Sequence, residues 1–128
     1  MAAGMLEQAL PGRIIRSAGI GAMIGTPADP FSVQLMAESG IDITAHRGQQ
    51  ISHALVAEAD LILVMDTEQK NYVENRYVGA RGKVFRLAES RNMNIPDPYR
   101  EGIDSFRHAQ QLIAEGVQFW SDRISRMD

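Results

Sequence analysis

Apolar residues recur in this chain either at three- and four-residue spacing or in short unbroken runs, the marks of amphipathic helices and covered strands. Residues 2–10, AAGMLEQAL, are good helix formers and are stopped by Pro11-Gly12. Residues 13–19, RIIRSAG, have a β-branched centre and a Gly terminator, which predicts a strand. Asp29 before Pro30 predicts a helix start running to about Ser39, with Gly40 closing it and Val33, Met36 and Ala37 as its buried stripe. Ser52 opens a short helix through Ala59. Leu61-Ile62-Leu63-Val64-Met65 is a continuous apolar run, predicted to be a parallel strand covered on both faces. Asp66 with Gln69 forms a capping-box pattern for a helix to about Tyr77, and Lys83–Leu87 predicts a third strand. Residues 88–103 read as loop. A long last helix capped by Asp104 or Ser105 carries the stripe Phe106, Ala109, Leu112, Ile113, Val117, Trp120 and Ile124. Strands alternating with helices give an α/β class, without repeats or low-complexity tracts.

Composition narrows the chemistry. With 128 residues, 45% of them hydrophobic, one domain spanning residues 1–128 is expected. The net charge of -3 is small and the 13 Lys and Arg are scattered, so neither nucleic acid nor an anionic membrane is indicated as partner. No apolar run approaches the roughly 20 residues of a membrane span, and a cytoplasmic location is the default. The absence of cysteine removes disulfides, thiolate metal sites and any thiol nucleophile supplied by these residues. His46 and His53 lie seven residues apart, a poor spacing for paired ligands on one helix, and no metal is expected.

Two further patterns read as structure. Gly19, Gly21 and Gly25 superficially suggest a dinucleotide fingerprint, but they run into Thr26-Pro27-Ala28-Asp29-Pro30 and not into a helix that could hold a pyrophosphate. His46 and Arg47 could meet an anion, yet no glycine cradle accompanies them and a surface role fits better. Trp120, Met5, Met36 and Met65 fall on apolar faces and read as core.

Five stretches in order carry a resemblance across almost the whole chain: Ser17-Ala18-Gly19, Ala28-Asp29-Pro30, Ala45-His46-Arg47 with Gln50, Ala59 to Asp66, and Pro96-Asp97-Pro98-Tyr99. Together they resemble the low-molecular-weight protein-tyrosine phosphatases, in particular the bacterial branch associated with capsule and exopolysaccharide production. The resemblance implies a phosphotyrosine phosphatase I-like fold, an α/β parallel sheet flanked by helices. It also implies that the first, central strand and the phosphate loop are missing, because the helix after that loop matches Met1 to Leu6.

In the family, phosphotyrosine is hydrolysed through a phosphocysteine intermediate, without a cofactor. A thiolate attacks the phosphoryl group while backbone amides and an Arg neutralise its oxygens. This chain matches the family at Asp97, cast by the resemblance as the general acid, and at Tyr99, cast as an aromatic wall against the substrate ring; it has no nucleophile to match. On residue chemistry alone Asp97 reads as a turn former between prolines. The expectation is therefore an inactive chain, either a truncated form of an active phosphatase or a non-catalytic pseudophosphatase that binds a partner or itself. A thiol-based arsenate reductase shares the fold but equally needs cysteine. The implied partner is a phosphotyrosine protein such as a bacterial tyrosine kinase. The resemblance places the missing strand between residues 13–19 and 61–65, so the gap is expected to close directly or to be covered by a second copy, the homo-oligomer being favoured.

Overall fold

The computed structural model describes residues 1–21 and 24–127. Along it lie α1 (Ala2–Ala9), α2 (Pro30–Glu38), α3 (His53–Glu58), β1 (Ile62–Val64), α4 (Thr67–Arg76), β2 (Val84–Arg86) and α5 (Ile103–Arg126), with single 3₁₀ turns at Val78–Ala80 and Glu89–Arg91. β1 and β2 are parallel, with Ile62, Leu63 and Val64 opposite Val84, Phe85 and Arg86.

The apolar run around β1 divides by the two-residue period of a strand. Leu61, Leu63 and Met65, with Phe85 of β2, pack on a core of Leu87, Ala88, Ile95, Ala109, Leu112, Ile113, Val117 and Trp120. Ile62 and Val64, with Val84, join the opposite core of Val56, Val73, Tyr77 and Ala80. Helices α1 and α5 thus cover one face, α3 and α4 the other, which is why the run carries no polar positions. Lys83 fastens α3 to the sheet edge, its Nζ donating to the carbonyls of Val56 and Ala59 at 2.7 Å each.

Local signals account for most helix ends. Asp29 accepts from the Phe31 amide at 2.9 Å, and Ser52 accepts from that of Leu55 at 3.2 Å. Asp66 accepts from the Gln69 amide at 2.7 Å while the Gln69 side chain takes the Met65 amide at 2.9 Å, a reciprocal arrangement that also ties β1 to α4. Gly40 stops α2 at φ 77°, a left-handed conformation that suits glycine.

Three expectations change. Residues 13–18 form no strand, and Ile14 is 85% exposed. A strand needs a neighbour for its backbone groups, and among the described residues the segment makes only a single parallel bridge, Gly19 to Gln50. The described sheet has β1 and β2 alone, so residues 13–19 do not close directly onto 61–65. In α2 the buried residues are Ser32, Leu35 and Met36, whereas Val33 is half-buried and Ala37 exposed. The helix is rolled toward α5 by the Phe31–Phe106 ring contact, centroids 5.3 Å apart, and by Arg107 with Glu38 at 3.2 Å. Finally, Gly102 precedes α5 without a side-chain cap, and Asp104 and Ser105 lie inside the first turn. The Gly102 carbonyl is taken by the Ser105 and Phe106 amides at 3.1 and 3.4 Å, so winding begins ahead of both predicted caps.

Candidate active site

The carboxyl ends of parallel strands are where an open α/β sheet offers its crevice. Met65 directly follows β1, and its carbonyl accepts from the buried Ile95 amide at 2.9 Å. That bond draws Pro96-Asp97-Pro98-Tyr99 across the end of the sheet. Ile95 belongs to the core against which Met1 and Met5 of the α1 region pack, so the start of α1 and this loop border one cluster.

Within the loop, Asp97 is exposed and its Oδ1 accepts from the Tyr99 amide at 3.0 Å, the side-chain turn expected of Asp between prolines. Tyr99 is 59% exposed, with the Arg100 guanidinium over its ring at 5.3 Å. Arg100 sits at φ 65°, the third residue of a turn closed by the Glu101 amide on the Pro98 carbonyl at 2.9 Å. A left-handed non-glycine residue marks a segment held by its surroundings. Beside the loop is a shallow groove of about 320 Å³ lined by Pro96, Glu101, Asp104, Ser105 and His108.

His46 and Arg47 lie elsewhere, on a groove of about 360 Å³ bordered by Gly4, Glu7, Arg16 and Asp42. The Arg47 Nη1 donates to the Thr44 and His46 carbonyls at 2.9 and 2.7 Å, bracing its own loop. Asp42 in the same loop takes both the hydroxyl and the amide of Thr44, which hold its carboxyl below the usual range. His53 packs edge-on against Tyr77, centroids 4.7 Å apart, and is not brought together with His46 in any metal-binding group. Among the described residues no three His, Cys, Asp or Glu converge as ligands.

The sequence reading missed the polar anchorage of the loop. Arg86 at the end of β2 bonds Glu89, Asn92 and Asn94, and Thr67 joins at Asn94. A lone Arg at a strand end gives no local sign that its partners lie up to eight residues further on.

Chemically, the arrangement offers one carboxyl and one phenol ring at the end of a parallel sheet, and the start of α1, whose first turn has no side-chain cap, packs on the same core as Ile95. A carboxyl so placed can give or take a proton, and leading helix amides favour an anion.

Comparison with known proteins identifies the family. The family described as low molecular weight phosphotyrosine protein phosphatase matches residues 1–127. EpsP of Ralstonia nicotianae, described as a "probable low molecular weight protein-tyrosine-phosphatase", is 49% identical over 124 residues, covering 97% of this chain and 86% of that protein. The protein-tyrosine-phosphatase Ptp of Acinetobacter johnsonii is 39% identical over 124 residues, covering 97% and 87%. Among solved structures, Vibrio vulnificus Wzb in complex with benzylphosphonate superposes with a TM-score of 0.91 at 35% identity, covering 95% of this chain and 87% of that one.

Proposed function

Since this chain belongs to the low molecular weight phosphotyrosine protein phosphatase family, we propose that its 128 residues carry the proton-transfer half of phosphotyrosine hydrolysis and lack the half that attacks phosphorus. Asp97 is the general acid and Tyr99 the wall for the aryl ring. The observation that carries the reading is the Ile95–Met65 bond, which sets Asp97 at the carboxyl end of the sheet. Benzylphosphonate, bound by the Vibrio relative, is an aryl-bearing phosphonate of the same charge and shape class as the proposed substrate.

In this chemistry a thiolate displaces the phenol from phosphorus, and the electron pair leaving with the aryl oxygen takes the Asp97 proton. The resulting carboxylate then accepts a proton from the water that cleaves the phosphocysteine. No cysteine stands in this sequence, so the thiol must come from outside these residues. The 128-residue chain by itself is therefore inactive in this reading. A phosphotyrosine protein such as a tyrosine kinase is the proposed partner, and one domain the proposed organisation.

The test is to place an apolar strand and a Cys-five-residue-Arg loop ahead of Met1 and to assay aryl phosphate hydrolysis. Activity should appear in the extended protein only, and Asp97→Ala should lower kcat by about 10²- to 10⁴-fold. Turnover by the cysteine-free chain, or an extended protein that folds and stays inactive, rejects the assignment.

A second reading, a self-associating non-catalytic protein, is favoured by the exposed Ile14 and by a sheet in which β1 has β2 as its only described neighbour. Light scattering of the 128-residue chain decides it: a dimer at micromolar concentration supports the reading, and a monomer that melts cooperatively removes it.

A further inference from the structure

We propose that Arg86 is the positioning residue of the acid loop, its forked guanidinium holding residues 92–97 in place over the carboxyl end of β1. This deepens the reading of Asp97 as general acid, and it rests on that reading for its functional meaning.

The Arg86 side chain is only 12% exposed, and its nitrogens are spent on the segment that follows β2. Nε and Nη2 meet the two oxygens of Glu89 at 3.1 and 3.2 Å. Nη2 also reaches Asn92 Oδ1 at 2.6 Å, and Nη1 reaches Asn94 Oδ1 at 3.1 Å. The same Asn94 oxygen takes the amide and hydroxyl of Thr67, at 3.1 and 3.2 Å, at the first turn of α4. One guanidinium thus draws in side chains three, six and eight residues downstream and ties them to the element that follows β1.

What this fixes is the stretch just ahead of Asp97. Asn92 stands at φ 50°, a left-handed cap that Asn adopts more readily than most residues, and its side-chain oxygen receives the shortest of these bonds. Ile95, directly after Asn94, is 1% exposed and makes the amide bond to Met65. Among the described residues, the hydrogen bonds downstream of Ile95 in this loop are the local Asp97–Tyr99 and Pro98–Glu101 turns. Turns of that kind set the shape of the loop but not where it sits. The polar network sets where it sits. A lysine could keep the charge opposite Glu89 but, as a single point donor on a flexible stem, could not fork to Asn92 and Asn94 together.

The test uses the 128-residue chain, ¹⁵N-labelled, as wild type, Arg86→Met and Arg86→Lys. Native-state amide exchange is followed at Ile95, Met93 and Thr67, with Ile113 in α5 as reference, together with order parameters at Asp97 and Tyr99. In Arg86→Met, protection at Ile95 should fall by about tenfold or more, the loss of charge-assisted bonds, while Ile113 changes by less than about threefold. Order parameters at Asp97 and Tyr99 should drop from about 0.85 toward 0.6 or below. Arg86→Lys should leave the loop loosened in the same way, and it carries the test should the methionine variant fail to fold. Parallel loss at Ile95 and Ile113, unchanged order at Asp97 and Tyr99, or wild-type behaviour of the lysine variant each overturns the proposal. These readouts report loop order and not turnover, so their failure is separate from a failure of Asp97 as acid.

Discussion

Gly116 lies midway along α5, where the helix comes closest to the chain leaving β2. A Cβ there would stand 2.6 Å from the Leu87 carbonyl oxygen, 2.7 Å from Leu87 Cγ and 3.1 Å from Leu87 C. The first contact falls short of ordinary van der Waals separation by about 0.8 Å, and the atom met is backbone, unable to rotate away. Leu87 itself is fully buried and cannot retreat into space. For Gly116→Ala, α5 must therefore lift, and Trp120 lifts with it. Its Nε1 donates to the Arg86 and Leu87 carbonyls at 3.2 and 3.1 Å, and a retreat of about 0.8 Å carries both past hydrogen-bonding distance. Three magnitudes compete: alanine gains about 1 kcal/mol in helix propensity, overpacking costs about 1 to 3, and a buried donor left unsatisfied costs about 1 to 3 more. The net expectation is destabilisation by about 1 to 5 kcal/mol, the opposite sign to an exposed helix. Urea unfolding followed by Trp120 fluorescence should show the midpoint lowered by about 1 M. Gly12→Ala, which has nothing within 4 Å, should stay within about 0.5 kcal/mol of wild type. A Gly116→Ala protein as stable as wild type or more so would refute the packing argument.

Asp29→Ala removes the acceptor of the Phe31 amide at the start of α2 and should cost about 1 kcal/mol in the same assay, with Asp29→Asn costing only a fraction of that. Glu89 is held below its ordinary range first by hydrogen bonding from Arg86, so in the unfolded chain it takes up a proton at higher pH than in the folded one. The stability it contributes is complete above its unfolded value of about 4.3 and disappears as pH falls through the lower folded value. The difference in Tm between wild type and Glu89→Gln should accordingly be constant near neutrality and shrink below about pH 4; a difference independent of pH would show that the ion pair contributes nothing.

How much of this was legible depends on whether the cause of a feature lies close by in the chain. Asp29-Pro30, Ser52 and the Asp66–Gln69 pair act within one helical turn, and each end falls where those residues put it. The segment 13–19 shows the converse. Its β-branched centre satisfies the local preference for a strand, but strand formation depends on a paired ladder, and among the described residues no ladder forms over 14–18. Propensity was read correctly and overruled by pairing, which no window of seven residues contains.

The loop that presents Asp97 depends on both kinds of cause. The Asp97–Tyr99 turn is local and follows from Asp between two prolines, so the turn was legible in the sequence, whereas residue chemistry alone gave Asp97 no role beyond it. Where that turn sits in the fold follows from Met65, thirty residues before Ile95, and from Arg86, whose role emerges only when Asn92 and Asn94 fold back on it. Gly116 is the same lesson inside a helix. In the sequence it occupies a gap in the apolar stripe between Ile113 and Val117 and looks like a weak position, whereas in the fold it is the place where Leu87 leaves no room for a side chain. Because α5 seats on Leu87 there, and residues 88–95 lead from that seat to the Asp97 loop, displacing the helix at Gly116 should also loosen Ile95. Amide exchange at Ile95 in Gly116→Ala would check this: a rise no larger than that at residues of α4 would mean that the loop is positioned by its polar network without help from the α5 seat.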